Sequence, residues 1–274
     1  IVSQTDRRPE MTTARQPSYY IPHGGGPCFF MPDPAGTWTG MANFLSHLRD
    51  DLPEQPKAIL VISGHWETAG FRFTGSSRPA LLFDYYGFPP HTYQLRYDAP
   101  GAPELAERAA ELLRSAGFQA SLDPDRGYDH GVFVPLKVAF PEADIPVVQM
   151  SLDRSLDPAL HAAAGAALAS LRDEGVLILG SGMSFHNMRA YGDPRATAPS
   201  LAFDQWLADA VQQEGPERTA ALSRWAEAPA GRLSHPREEH LIPLMVAAGA
   251  SENAGRRVFG ELVLGTAVSG FRFD

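Results

Sequence analysis

Histidines are the residues of this chain whose type and placement most clearly suggest chemistry. The sequence contains nine of them. His23 follows a short β-rich run and precedes three glycines, His65 follows the apolar run 58–63, and His186 follows the apolar run 176–180 and a short loop. Imidazoles without cysteine partners suit a divalent first-row metal, and three protein ligands leave coordination positions open for a substrate. The alternative for each ring, taken alone, is a buried structural histidine held by hydrogen bonds.

Further histidines lie in segments that favour a site. His130 has an acidic neighbour, Asp129, and flanking glycines that would place its ring in a pocket, although a simple turn histidine fits the same pattern. His240 lies near the start of a helix expected over 236–248, from which a side chain can project into a neighbouring cleft. His235 would precede or cap that helix. Two histidines are set aside as ordinary surface residues of helices: His47 and His161.

Short apolar runs alternate with amphipathic segments of helical length, which predicts an α/β fold with a central mixed sheet flanked by helices. Near-continuous apolarity indicates central strands covered on both faces. No stretch resembles a flexible linker, so a single domain is expected. Strands are predicted at 18–22, 58–63, 71–75, 147–152 and 176–180, with closing strands or a hairpin over 257–273. Helices are predicted at 103–116, 158–174, 200–214, 216–226 and 236–248.

The predicted strands bring the histidines towards one place. Ligands of open α/β sheets bind in the crevice outside the carboxyl ends of the strands. Because His23, His65 and His186 all follow predicted strands, they can converge despite their distance along the chain. The loops 22–36 and 85–103 are rich in proline and glycine, and loops on rigid scaffolds commonly carry sites.

Composition restricts the class of protein. The net charge of −9, from 23 Lys and Arg against 32 Asp and Glu, would repel a phosphate backbone, so nucleic acid is not an expected partner. A single cysteine forms no internal disulfide, and no apolar run reaches the roughly 18 residues of a membrane span. We therefore expect a cytoplasmic protein without a membrane partner. Residues 1–15 are interpreted as an extension outside a domain of residues 16–274, since 1–10 lack the apolar centre of a secretory signal.

Several other chemistries fail on residue type or spacing. The glycines 24–26 lack the Lys-Ser/Thr pair of a phosphate-binding loop. Neither Ser63 nor Ser181 lies in the Gly-x-Ser-x-Gly turn of a serine hydrolase. Cys28 has a proline and two phenylalanines beside it, which is typical of a small buried hydrophobic residue. Serine and cysteine nucleophiles are therefore poor candidates.

A set of ordered motifs resembles the class III extradiol ring-cleavage dioxygenases, and within them the branch similar to 4,5-DOPA dioxygenase. The similarity runs from about residue 20 to the C-terminus. It is carried by these segments: Tyr85-Tyr86-Gly87-Phe88-Pro89, Tyr97-Asp98-Ala99-Pro100-Gly101-Ala102-Pro103, Asp129-His130-Gly131, Ala143-Asp144-Ile145-Pro146-Val147-Val148-Gln149, Gly180-Ser181-Gly182 with His186-Asn187, and Glu239-His240 with Pro243-Leu244.

The resemblance implies roles for individual residues. The family's metal ligands correspond to His23, His65 and His240, with Glu239 as the alternative to His240 by a shift of one position. The catalytic base corresponds to His186, which is also a possible fourth ligand. His130 corresponds to a second catalytic histidine. Where many relatives have Gly-Ser-Pro after the first ligand, this chain has Gly-Gly-Gly-Pro, so the substrate side of that loop is expected to differ.

The resemblance also implies a reaction. A non-haem Fe(II) would bind a catechol-type small molecule and O₂, and zinc is the alternative occupant in the purified protein. Residues 24–26 and 85–97 are expected to form walls of one pocket, with substrate contacts from these residues: Gly24, Gly25, Tyr86 and His235. A monomer or small homo-oligomer is expected. Two alternatives remain, a zinc-dependent hydrolase that activates water at the same histidines, and a non-enzymatic binding protein similar to the Memo-like members of the superfamily.

Overall fold

The computed structural model describes residues 13–274, and eight strands within this range form one sheet. The strands are β1 (Ser18–Pro22), β2 (Ala58–Thr68), β3 (Phe71–Thr74), β4 (Ala120–Asp123), β5 (Val147–Asp153), β6 (Val176–Gly182), β7 (Gly255–Val263) and β8 (Thr266–Phe273). Their order is β4-β3-β5-β2-β6-β1-β8-β7. The pairs among β5, β2, β6 and β1 are parallel, whereas β3 with β5, β1 with β8 and β7 with β8 are antiparallel. The predicted mixed sheet and the closing hairpin are confirmed.

The two faces of the sheet carry separate cores, as the unbroken apolar run in β2 predicts. Successive side chains of a strand point to opposite faces. Ile59 and Val61 belong to one core, Leu60 and Ile62 belong to the other, and all four are at most 1% exposed. Helices therefore cover both faces, which leaves only the ends of the central strands for a binding site.

Eight α-helices pack around the sheet within the described range. They are α1 (Thr39–Ser46), α2 (Pro103–Ser115), α3 (His130–Ala139), α4 (Pro158–Leu168), α5 (Thr197–Val211), α6 (Gly215–Ser223), α7 (Gly231–Ser234) and α8 (Ile242–Gly249). Helices α1, α3 and α7 and strand β4 were not predicted. The helix expected over 158–174 is α4 followed by a 3-10 turn, Ala169–Arg172, before Gly175 at φ +88°.

The helix expected over 236–248 begins later, at Ile242. The carbonyl of His240 accepts hydrogen bonds from the Tyr20 hydroxyl at 2.6 Å and from the Met183 amide at 3.2 Å. These tertiary contacts hold residues 235–241 as turns across the strand ends, so His240 precedes α8 and does not lie on its first turn.

One other expectation needs correction. His161, expected on the surface, is fully buried, because its Nδ1 donates to the Asp157 carbonyl at 2.6 Å and its Nε2 accepts from the Asp153 amide at 3.1 Å. His47 is exposed, as expected. Residues 1–12 of the expected extension lie outside the described range, and Arg15 forms an exposed ion pair with Asp173 at 2.6 Å.

Candidate active site

Three imidazoles meet beyond the carboxyl ends of β1 and β6, next to the part of β2 that contains His65 and extends past its pairing with β6. The Nε2 atom of His65 lies 3.2 Å from Nε2 of His23 and 3.2 Å from Nε2 of His240. Two nitrogens each about 2.1 Å from one ion, and about 90–110° apart around it, would be roughly 3.0–3.4 Å from each other. The observed separations therefore fit ligation of a single first-row metal ion.

Hydrogen bonds on the far side of two of these rings favour the tautomer that a metal needs. The Ser181 hydroxyl donates to the Gly131 carbonyl, so its oxygen accepts from Nδ1 of His23 at 3.0 Å. Nδ1 of His240 donates to the Glu239 carboxylate at 3.1 Å. With Nδ1 protonated in both rings, each Nε2 presents its lone pair to the centre.

The electrostatics of the cluster favour neutral rings. Burial, followed by the neighbouring imidazoles, lowers the pKa of His65 to about 4 and places the pKa values of His23 and His240 well below 6.5. Neutral imidazole is the form that ligates a metal. The cluster is therefore ready to accept a cation at neutral pH without first releasing protons.

Close backbone packing brings residues 239–240, which are distant along the chain, into this cluster. A Cβ added to Gly64 would lie 2.7 Å from the carbonyl oxygen of Glu239, and one added to Gly182 would overlap the carbonyl oxygen of His240. Glycines on two neighbouring strands thus let the segment before α8 cross the sheet at van der Waals distance. Any larger residue would push His240 away from His23 and His65.

We expect Gly182→Ala to destabilise the fold by about 3 kcal/mol, because the added methyl meets backbone and not a movable side chain. Metal content should fall with it, since His240 moves with its carbonyl. Urea denaturation and elemental analysis measure the two effects. Gly260→Ala is the matched control, because its nearest neighbour is the flexible side chain of Arg257 on an exposed strand. Equal stability of the two variants would contradict this account of the packing.

His186 lies beside the cluster and not in its centre. Its ring stacks on that of His240, with centroids 3.5 Å apart and planes 15° apart, and its side chain is 23% exposed. Nδ1 lies 3.5 Å from the Glu239 carboxylate, which is a contact longer than a good hydrogen bond. Burial, with a contribution from His130, lowers the pKa of His186 to about 4. The ring is therefore neutral at neutral pH and open to the cavity, so that a ring nitrogen is free to accept a proton, but the low pKa makes it a weak base unless the donor is itself acidified.

His130 opens α3 on the opposite side of the cluster, with its ring centroid 4.0 Å from that of His65. Its Nδ1 donates to Asp84 at 2.7 Å, and its backbone amide donates to the same oxygen at 3.0 Å. Burial raises the pKa of Asp84, but the hydrogen bonds and charge of His130 outweigh it and lower the value overall. An ionised carboxylate thus fixes the His130 ring and leaves Nε2 for proton exchange.

A cavity of about 560 Å³ lies in front of the five histidines. The glycines 24–26 line one side, and Tyr85, Tyr86 and Phe88 line another. The two loops also touch directly, since Nε2 of His91 donates to the Phe30 carbonyl at 2.9 Å. The cavity thus has walls from both loops, as expected, and its aromatic lining suits a planar ring.

The structure separates one predicted residue from the others. His235 is fully buried between Phe203 and Trp225, and its Nε2 donates to the Ser184 carbonyl at 2.8 Å. Burial lowers its pKa to about 3. The expectation that His235 contacts substrate is therefore wrong, because its side chain packs behind the segment carrying His186 and does not line the cavity.

Two residues of the site escaped sequence reasoning. Asp84 lines the cavity, and Ser181 orients His23 from below. Asp84 did carry a signal, because it is the only Asp, Glu, Lys or Arg between residues 80 and 95, in a segment dominated by aromatic side chains. Ser181 was named only within the motif Gly180-Ser181-Gly182, because its contact with His23 depends on β6 lying beside β1. Cys28 is buried in the cavity wall, and burial raises its thiol pKa to about 12, which agrees with a hydrophobic role.

Among the helices of residues 13–274, none has the length and apolarity that spanning a membrane requires.

Residues 18–269 match the family described as the catalytic LigB subunit of aromatic ring-opening dioxygenase. The match spans the whole sheet apart from the end of β8, and it includes all five histidines of the cavity.

Relatives agree with this match. The chain is 43% identical to the 4,5-DOPA dioxygenase extradiol of Beta vulgaris, covering 80% of this chain and 82% of the relative. It is 40% identical to the dioxygenase tasH of Hapsidospora irregularis, covering 86% and 78%. The crystal structure of an uncharacterized protein from Escherichia coli K12 superposes with a TM-score of 0.77 at 29% identity, covering 95% of this chain and 100% of that one. The chain therefore belongs to the class III extradiol ring-cleavage dioxygenases, the family of the LigB catalytic subunit.

Proposed function

We propose that this protein uses Fe(II) and O₂ to open the ring of a catechol-type substrate at the carbon–carbon bond next to the diol. Both atoms of O₂ enter the product, a ring-opened semialdehyde. The observation that carries the proposal is that Nε2 of His65 lies 3.2 Å from Nε2 of both His23 and His240, in a cavity with an aromatic lining. Two further histidines border this cluster: His130, with a ring nitrogen within 4.8 Å of ligand atoms of His23 and His65, and His186, whose ring stacks on that of His240.

His23, His65 and His240 would hold the metal through Nε2. When bound, Fe(II) would supply positive charge that lowers the pKa of the catechol hydroxyls and the redox capacity to react with dioxygen. Ser181 and Glu239 would keep two of the three rings in the required tautomer. Because the donor set is three imidazoles, Zn²⁺ fits it as well, and zinc in the purified protein would not argue against this activity.

The remaining histidines would move protons. Free phenols ionise near pH 10, so substrate binding at neutral pH needs a base, and neutral His186 is placed to take that proton. Breaking the oxygen–oxygen bond later requires an acid, for which either His130 or the reprotonating His186 is placed. Gly24, Gly25 and Tyr86 would contact the substrate from the cavity walls.

Reconstitution under anaerobic conditions tests the proposal. Apo-protein is loaded with Fe(II) or with Zn²⁺, mixed with a panel of catechols, and exposed to oxygenated buffer. We expect O₂ consumption and a yellow ring-opened product with Fe(II) alone. Hydrolysis of esters or amides by the zinc form, without O₂ uptake, would favour the hydrolase alternative. Binding of catechols without turnover by either form would favour a binding protein.

Asp84→Asn should lower kcat by about 10–100-fold at unchanged metal content, because the amide keeps the shape of Asp84 but loses the charge that holds His130. Oxygen uptake and elemental analysis measure the two quantities. Nitrogen NMR of the His130 ring should show a changed tautomer ratio. Asp98→Asn, at an exposed carboxylate paired with Arg96, is the control. A normal kcat in Asp84→Asn would show that the charge of Asp84 has no part in turnover.

A further inference from the structure

We propose that the substrate carries an uncharged, apolar ring substituent that lies against Tyr86, Met188 and Leu264 at the cavity mouth. This inference rests on the proposed function and adds the class of catechol. It separates this chain from an enzyme whose substrate bears a carboxylate, as DOPA does.

The first observation is an apolar rim. Seven large hydrophobic side chains are exposed in the described part of the chain, and three of them line this cavity. They include the two most exposed, Tyr86 at 91% and Met188 at 72%. Exposed apolar groups gathered at one place commonly mark a binding surface. A substituent extending outward from a ring bound at the histidines would cover them.

The second observation concerns charge. No lysine or arginine of residues 13–274 lines the cavity, and its one carboxylate, Asp84, would repel an anionic substituent. The phenolic hydroxyls of Tyr85 and Tyr191 are already used, since they donate to the carbonyls of Thr92 at 2.6 Å and Phe185 at 2.7 Å. A carboxylate on the ring substituent would lose water in this cavity without gaining a cationic side chain as a partner, which is costly.

Two arginines lie nearby, in a neighbouring cavity on the other side of His186 and Met188. Arg237 binds both oxygens of Glu67 at 2.6 Å and lies 3.5 Å from Glu239, so its charge is already balanced. Arg189 is exposed on the surface of that second cavity. Neither arginine lines the cavity in front of the histidine cluster.

Asp84 does not make a binding site for an amine either. Its Oδ1 takes both hydrogen bonds from His130, and its Oδ2 faces Nδ1 of His65 at 3.8 Å. Its carboxylate is thus directed to the two rings that it orients. An uncharged substituent is the one that the whole lining accommodates.

A matched panel tests the inference on the Fe(II)-loaded enzyme. Butylcatechol, dihydrocaffeate and dopamine have side chains of similar length but are respectively neutral, anionic and cationic. We expect kcat/KM for butylcatechol to exceed the other two by roughly 10-fold or more. Equal or higher values for dihydrocaffeate or dopamine would overturn the inference while leaving ring cleavage established.

A binding measurement covers the case in which no catechol, substituted or not, consumes O₂. That result would defeat the proposed function itself. Quenching of tryptophan fluorescence, to which Trp38 in the cavity wall contributes, then compares butylphenol with hydroxyphenylpropionate on the same protein. Tighter binding of butylphenol supports an apolar subsite, and equal or weaker binding contradicts it.

Met188→Arg supplies the missing cation at the rim. The ratio of kcat/KM for dihydrocaffeate to that for butylcatechol should rise by roughly 10-fold, because a new charged hydrogen bond replaces an apolar contact. Leu201→Arg is the matched control, since Leu201 is 48% exposed on α5 and does not line this cavity. A ratio that is unchanged in Met188→Arg, or that rises equally in both variants, would show that Met188 is not at the substituent.

Discussion

Replacing His65 by alanine is expected to abolish both metal binding and ring cleavage. His65 provides the central nitrogen of the cluster, with Nε2 3.2 Å from the corresponding atoms of His23 and His240. Its removal leaves two ligands, which are too few to keep a divalent ion from dissociating into the buffer. A bound metal stabilises the transition state by several kcal/mol, and losing it corresponds to a fall in kcat/KM of about 10³-fold or more.

Elemental analysis and O₂ uptake on the same preparation test this prediction, with thermal denaturation to show that the variant is folded. His47→Ala is the control, because His47 is exposed and lies after α1, outside the cavity. A folded His65→Ala protein that keeps one equivalent of iron would mean that the metal is held elsewhere, for instance by the group His186, Glu239 and His240.

His186→Ala should separate metal binding from turnover. His186 stacks on His240, but its nitrogens lie outside the set of Nε2 atoms that meet at His65. We therefore expect the variant to keep most of its metal and to lose about 10²–10⁴-fold in kcat, the usual contribution of a general acid or base. His186→Gln should be similarly impaired, since an amide hydrogen-bonds but does not accept the proton.

Metal content measured beside O₂ uptake decides between the two roles. If His186→Ala is both metal-free and inactive while thermally stable, then His186 is a fourth ligand. The site would be more closed than proposed, and His130 or a water molecule would have to carry the proton transfer.

Much of the fold followed from local patterns. The buried runs in β1, β2, β5 and β6 and the glycine-marked hairpin were predicted from apolarity and turn residues alone. Helix α3 was missed because eight of its ten residues are buried and it contains Pro135, so it has neither an amphipathic stripe nor the usual helix composition. Strand β2 was predicted too short, because its register with β5 shifts between Ile62 and Glu67 and the alternation of side chains breaks there.

The sequence by itself determined which side chains were available for chemistry, since residue type limits what a site does: histidines without cysteine partners at strand ends indicated a metal before any geometry was known. Only the tertiary structure decided which of these histidines lie together and which lie apart. It brought Nε2 of His65 within 3.2 Å of Nε2 of both His23 and His240, left the rings of His130 and His186 next to these three, and buried His235 away from the cavity. The physical reason is that each position depends on contacts between segments far apart in the chain. The His240 carbonyl is held by Tyr20, and His130 is held by Asp84. Local pattern carries no information about such pairs.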